Sequence, residues 1–435
     1  MGLLKFDLNR FWIPGVVVIV LLAAGLFGYA VTDTRLNGSI RGDARDYYGY
    51  AYNLKFHGVY SRELPGTVET PSPDALRSPG YPATISMLVD KTDVEKTLRH
   101  VVYLQAVLGV LTVLVYLTLF RRFMPPLWAL GAGIVTAISP HLVNASVYLL
   151  SETLFTFLLS VHLFALERAL RLRNTRWFLI AGILLALSFL AHPTTQFLLL
   201  AYIAIVVIWF RKDWRIYGKY LLWLALPAVI AFTGWSVRNE VAIGQLSDPT
   251  LSANFIQHGM YPNLMYNDEP MSYAYPYSFD PRNAEISGKL APTLKIIADN
   301  FQQQPRRYLS WYLIGKPLQF FAWDLTESDS DVYIYEALHS PYRTNSIFKL
   351  THDVAAFLHP FMICLSLLGI YIAIKRKNIA ASLFGVVLLY LVALHMIGSP
   401  FPRYSIPARP INYGLAFYAL YQMALWLKTK LGRTQ

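Results

Sequence analysis

Apolar runs of roughly eighteen residues or more recur along this chain, and nothing constrains its fold more tightly. They fall at 12–32, 101–120, 127–147, 151–168, 177–192, 194–210, 219–237, 352–374, 379–398 and 408–427. In hydrocarbon every backbone N–H and C=O needs an internal partner, so runs of this kind cross as helices. The expected fold class is an all-α polytopic membrane protein of ten spans, a single transmembrane domain over 1–435. Composition agrees: 55% of residues are hydrophobic, 15% are charged, and mean hydropathy is +0.38, which excludes an ordinary soluble domain. A net charge of +12 then reads as basic groups facing lipid headgroups and phosphates, with no nucleic acid as partner. The one cysteine, Cys364, lies inside an apolar run, so there is no disulfide framework and no cysteine metal site.

Charge orients the spans. Short loops on one side carry Arg121, Arg122, Arg168, Arg171, Arg173, Arg176, Arg211, Lys212, Arg215, Lys219, Lys375, Arg376 and Lys377, whereas those on the other carry only Arg403. The basic side is cytoplasmic by the positive-inside rule, which puts both termini inside. Lys5 and Arg10 precede the first run. Gly28-Tyr29-Ala30 loosely resembles a signal-peptide cleavage site, but the run is long for one and is read as an uncleaved span.

Two long segments, 33–98 and 238–350, fall on the outer side. In the first, Tyr47, Tyr50, Ala51 and Leu54 recur at helical spacing, so Asp43 to Gly58 reads as a short amphipathic helix lying in the membrane interface. Asp43 there is either an N-cap, with Asp46 completing a crude capping box, or a carboxylate held outside the bilayer for a task. The second segment is rich in Tyr, Asn, Pro and Ser, and 305–325 reads as another interfacial helix interrupted by Lys316 and Pro317.

No Gly-rich phosphate loop, H-E-x-x-H helix or nucleophile elbow is present on the inner side. Chemistry is therefore expected outside, where Asp43, Arg77, His141, Glu152, His192, Arg238, Asn239, His258, Arg403 and Arg409 lie near the boundary. Glu152 opens a strongly apolar span and is either its cap or an ionisable group with a partner. His192 before Pro193 fits a helix-end turn, His141 is ambiguous in the same way, and Arg403 can simply snorkel to the interface.

Five stretches in order carry a resemblance. They are Asp43-x-x-x-Tyr47-x-x-x-Ala51-x-x-Leu54-x-x-x-Gly58-x-Tyr60-Ser61 with Leu76-Arg77-x-Pro79-Gly80-Tyr81-Pro82, then Ser151-Glu152-Thr153-Leu154-Phe155, then Gly234-Trp235-Ser236-Val237-Arg238-Asn239, and finally Arg403-Tyr404-Ser405-Ile406-Pro407. Together they resemble the GT-C glycosyltransferases, in the bacterial branch related to the dolichyl-phosphate-mannose protein mannosyltransferases and to lipid A aminoarabinose transferase, which implies a bacterial inner membrane.

The resemblance implies a GT-C fold and a sugar moved from a polyprenyl-phosphate donor to an envelope acceptor (protein, lipid A or surface glycan) on the extracytoplasmic face. It implies Asp43 as general base, Glu152 as a second catalytic carboxylate, and Arg77 and Arg403 on the lipid-linked phosphate. Tyr81, Arg238 and His258 join them as substrate- or phosphate-binding candidates. A divalent metal on Glu152 is the one cofactor it leaves open, although a hard metal wants several oxygen ligands and no set of them is visible. A transporter or flippase of lipid-linked sugars, and an oligosaccharide ligase or polymerase, remain as rival readings.

Overall fold

The computed structural model describes residues 8–209, 211–326 and 330–431. Lys5, and Phe210 at the end of one expected span, lie outside them. In chain order the helices are α1 (Trp12–Asp33), α2 (Asp43–Phe56), α3 (Gly80–Ser86), α4 (Val94–Phe120), α5 (Pro126–Ala137), α6 (Pro140–Ala145), α7 (Glu152–Leu172), α8 (Thr175–Ala191), α9 (Leu198–Trp209) and α10 (Trp214–Ile243). After these come α11 (Thr250–Gly259), α12 (Asn283–Ile286), α13 (Leu290–Gln303), α14 (Pro305–Ser310), α15 (Lys316–Phe320), α16 (Pro341–Thr344), α17 (Ser346–Lys375), α18 (Ile379–Ile397) and α19 (Arg409–Leu431). A π-helical turn, Trp311–Gly315, joins α14 to α15.

Among the described residues, α1, α4, α7, α10, α17 and α18 are long and apolar enough to cross a membrane. Shorter apolar helices occupy Pro126–Ala137, Thr175–Ala191 and Pro193–Ile208. The chain is an all-α, multi-pass membrane protein, and each expected run falls on helix. Lateral position follows from burial: 67% of the most apolar window of α7 is buried against 6% in α10, so α7 is central and α10 peripheral. Helices close up where a side chain is missing. A Cβ on Gly182 of α8 would fall 2.4 Å from Leu224 O of α10, and one on Gly369 of α17 only 2.2 Å from Leu415 O of α19.

One expected span is broken. The run 127–147 divides into α5 and α6 because Pro140 cannot donate into a continuing helix and instead opens the next one. A second correction concerns α2. Protein encloses it: Ala44 and Tyr47 through Asn53 are all buried, with Asn53 donating to Ser61 O and Glu63 O and Tyr47 packed on Tyr81 of α3. A Cβ on Gly49 would fall 2.2 Å from Arg62 O.

The two long segments between the apolar helices meet. β1 (Arg35–Leu36) pairs antiparallel with β2 (Ala337–His339), and His339 Nε2 lies 3.0 Å from Asp33 Oδ2. Just after α15 the backbone is held by side chains from three helices on three successive carbonyls. His359 of α17 bonds Phe321 O (2.6 Å), Arg409 of α19 donates to Ala322 O (3.2 Å), and His141 of α6 bonds Trp323 O (2.8 Å). His141 and Arg409 are thereby placed as structural ties.

Candidate active site

Asp43 is the first helical residue of α2, not its cap. Gly42 takes the cap position with φ +52°, a conformation other residues rarely adopt, and no side chain caps the helix. This frees the Asp43 carboxylate. Its Oδ1 accepts from Arg77 Nη2 at 2.7 Å, and its Oδ2 lies 3.0 Å from Arg403 Nη2. Arg77 also donates to Asp46 Oδ2, from Nε at 2.9 Å and from Nη2 at 2.7 Å. Arg403 reaches on through Nε to Glu152 Oε1. Five charged side chains therefore form one chain of contacts, Asp46, Arg77, Asp43, Arg403 and Glu152, with three carboxylates against two guanidiniums.

Each group is delivered by a different device. Arg77 ends a loop fastened by Asp74, whose carboxylate accepts from Tyr50 OH, Arg62 N (2.9 Å) and Leu76 N (3.1 Å). Tyr60 OH donates to Arg77 O at 3.0 Å. Glu152 stands at the first turn of α7, and Ser151 before it makes no side-chain cap. Arg403 comes from the 3-10 turns Pro402–Ala408 that lead into α19.

Accessibility separates the carboxylates. The Asp43 side chain is 32% exposed and Glu152 only 3%, so a substrate group can reach the former and not the latter. Burial pushes the Asp43 carboxyl up, but Arg403 and Arg77 outweigh it and hold the group down at about 2. Burial opposes the charge of Arg77 as well, yet Asp43, Tyr47 and Asp46 push it further up than a free guanidinium.

The remaining candidates are occupied differently. Tyr81 is buried, packs edge-on against Tyr47 at 4.9 Å and donates to Gln105 Oε1 at 2.9 Å, which supports α2 from behind. Arg238 lies against both the Tyr60 and Trp235 rings and donates to Asp74 O (2.7 Å) and Tyr60 O (3.3 Å), so it fastens the Arg77 loop. His258 stacks on Tyr277 at 4.1 Å, and burial pushes its imidazole down to about 4, leaving it neutral near pH 7. His192 stacks on Phe155 and bonds Thr194 Oγ1 at 2.6 Å, as a helix-end turn would.

Glu152 does not suit a divalent metal. Among the described residues no group of three His, Cys, Asp or Glu side chains is placed to hold one. The Glu152 Oε1 is also already taken by the Arg403 guanidinium. Asp46 is the residue sequence reading missed, having taken it only for half of a capping box. Its signal was its place three residues after Asp43, on the same helical flank.

Residues 80–236 match the family model described as dolichyl-phosphate-mannose-protein mannosyltransferase, about a third of the chain and including Glu152. No curated protein sequence matches the chain. Among solved structures, the archaeal oligosaccharyltransferase AglB from Archaeoglobus fulgidus, in complex with an inhibitory peptide and a dolichol-phosphate, aligns with 14% identity and a TM-score of 0.49. That alignment covers 99% of this chain and 52% of that one. ArnT from Cupriavidus metallidurans, bound to undecaprenyl phosphate, aligns with 13% identity and a TM-score of 0.47, covering 94% of this chain and 60% of that one. The chain thus spans only part of the length of either.

Proposed function

We propose that this chain is a membrane glycosyltransferase that moves a single sugar from a polyprenyl phosphate to an envelope acceptor outside the cytoplasm. The observation that carries the reading is Asp43, a reachable carboxylate with a guanidinium on each of its oxygens, at one end of a membrane bundle. The match over 80–236 supports the donor class.

In this reading the acceptor hydroxyl oxygen attacks the anomeric carbon. The carbon–oxygen bond to phosphate breaks, its electron pair leaves with the phosphate, and the proton passes to Asp43. The anomeric centre inverts. Arg77 and Arg403 take the charge that builds on the leaving phosphate, where the lipid side raises the strength of each contact. They also explain how a carboxylate held near 2 can serve as base: a phosphate that draws on the same two guanidiniums loosens their hold on Asp43 and raises its proton affinity. Glu152, closed to solvent, acts through Arg403 and fixes its direction. Tyr81, Arg238 and His258 shape the surroundings.

The test is transfer by the purified protein in liposomes, using a short-chain polyprenyl-phosphate sugar and extracted envelope acceptors. Mass spectrometry of lipid A and of envelope glycoproteins, with and without the protein, identifies the acceptor. No polyprenyl phosphate release with any sugar tried, and no missing glycan in cells lacking the protein, would refute the reading. Movement of intact donor across the bilayer without transfer would establish a flippase instead.

A further inference from the structure

Lys316 takes no part in the chemistry above, yet its side chain is completely buried. Its Nζ donates to Met396 O (3.0 Å), Ile397 O (3.3 Å) and Gly398 O (2.9 Å). These carbonyls belong to the end of α18, where a helix leaves its last acceptors without intrahelical partners. The chain continues Ser399-Pro400-Phe401-Pro402, and its two prolines bring no N–H to turn back onto them. Burial pushes the Lys316 amine down to about 6, and the three carbonyls together with the negative end of the helix dipole work against that burial, since the charged form has three donors for the three acceptors.

Other contacts converge on the same point. The Tyr312 ring centre lies 3.5 Å from Nζ. A Cβ on Gly398 would fall 1.9 Å from the Phe255 ring, and one on Gly259 only 2.1 Å from Gly398 O. Trp311 Nε1 donates to Gly259 O at 3.0 Å. Residue 398 is therefore clamped by α11, by the π-helical turn and by Lys316. From there to Arg403 every residue is buried, and two of the four between are proline.

We propose that Lys316 is a positioning residue for Arg403: by closing the end of α18 it sets where the chain leaves that helix, and so where the guanidinium arrives between Asp43 and Glu152. Its kinetic consequences rest on the transfer reading, whereas its structural consequence does not.

The experiment uses the full chain in nanodiscs, with Lys316→Met, Lys316→Gln as a milder change, and Lys316→Arg. Hydrogen exchange at 396–405 is expected to rise about tenfold or more in the Met and Gln variants, with that at 43–56 unchanged. With a short-chain polyprenyl-phosphate sugar, donor KM is expected to rise about tenfold and kcat to fall less, as in Arg403→Lys. The double variant Lys316→Gln with Arg403→Lys is expected to be little worse than Arg403→Lys alone. Lys316→Arg, which keeps the donors, restores part of the loss. Unchanged exchange at 396–405, or strictly additive kinetic effects, would overturn the proposal. A wild-type protein with no transfer would sink the transfer reading while the exchange data still decide this one.

Discussion

Arg77 places a single nitrogen, Nη2, 2.7 Å from Asp43 Oδ1 and 2.7 Å from Asp46 Oδ2. Two carboxylates thus share one corner of a guanidinium whose Nε–H is already committed to Asp46. Asp46 holds the plane of Arg77 fixed, and only the Nη1 corner is left for a phosphate. The arginine is oriented before any substrate arrives.

Asp43→Asn keeps the shape of the side chain and removes its proton affinity. Folding is expected to survive and transfer to fall about a hundredfold or more. Near-normal turnover of this variant in liposomes would remove Asp43 from the mechanism.

Arg77→Ala is expected to cut turnover strongly, and Arg77→Lys to restore only part, since an ammonium cannot bridge two carboxylates and a phosphate in one plane. Asp46→Asn should lower kcat by about tenfold with little change in donor KM, because the arginine stays but loses its orientation. Steady-state rates over a range of donor concentrations separate these outcomes. Identical kinetics for wild type and Asp46→Asn would show that orientation by Asp46 is unnecessary.

Glu152→Gln removes one of the two carboxylates that pair with the buried Arg403 and leaves only Asp43, which is expected to lower transfer well beyond any loss in melting temperature. Ser at 152 caps a helix well but carries no charge. If Glu152→Ser restored full transfer, the ion pair would be irrelevant and helix capping would be the whole role of this position.

The pH behaviour has a definite sign. Asp43 titrates at about 2 in the folded protein against 3.8 when unperturbed, so its ion pairs stabilise the fold above pH about 4 and that contribution is lost as pH falls towards 2. Melting temperature between pH 5 and 3 should fall less in Asp43→Asn than in the wild type. In the free enzyme Asp43 contributes no acid limb to kcat/KM above pH about 4. An acid limb near neutrality traced to Asp43 by its carboxylate infrared band would contradict the arrangement of the two arginines.

Gly49→Ala puts a methyl group 2.2 Å from Arg62 O, a backbone atom that cannot swing aside. Overpacking of this kind costs about 1–3 kcal/mol, seen as a lowered melting temperature together with a displaced Arg77 loop. A melting curve and donor KM equal to wild type would mean that the loop yields without consequence.

The spans were legible because a hydrocarbon solvent dictates their length and leaves little choice of structure. Asp43, Arg77, Glu152 and Arg403 were each visible as polar residues at a boundary, and the structure joins them in one network. Their pairing was not legible, since periodicity carries no information about which residues meet across hundreds of positions. Local rules also left two of them with two readings. Asp43 and Glu152 both suit a helix N-terminus, and long-range arginines claim both carboxylates instead. Lys316 was read as an interruption in an apolar run, because nothing nearby shows that its partners are carbonyls some eighty residues away. Pro140 was in plain view, but a long apolar run outweighed it.

Synthesis runs from Glu152 to Arg403 across 251 positions, which at cellular elongation rates takes on the order of ten seconds to a minute. Throughout that interval α7 must enter the membrane with a carboxylate at its end and no cation to meet it. Asp43 faces no such delay, because Arg77 follows 34 residues later. The first half of the site can therefore assemble while the chain is still growing, whereas the second waits for the last helices. The position of Glu152 at the very edge of its helix, within reach of water until Arg403 arrives, is what makes the wait survivable.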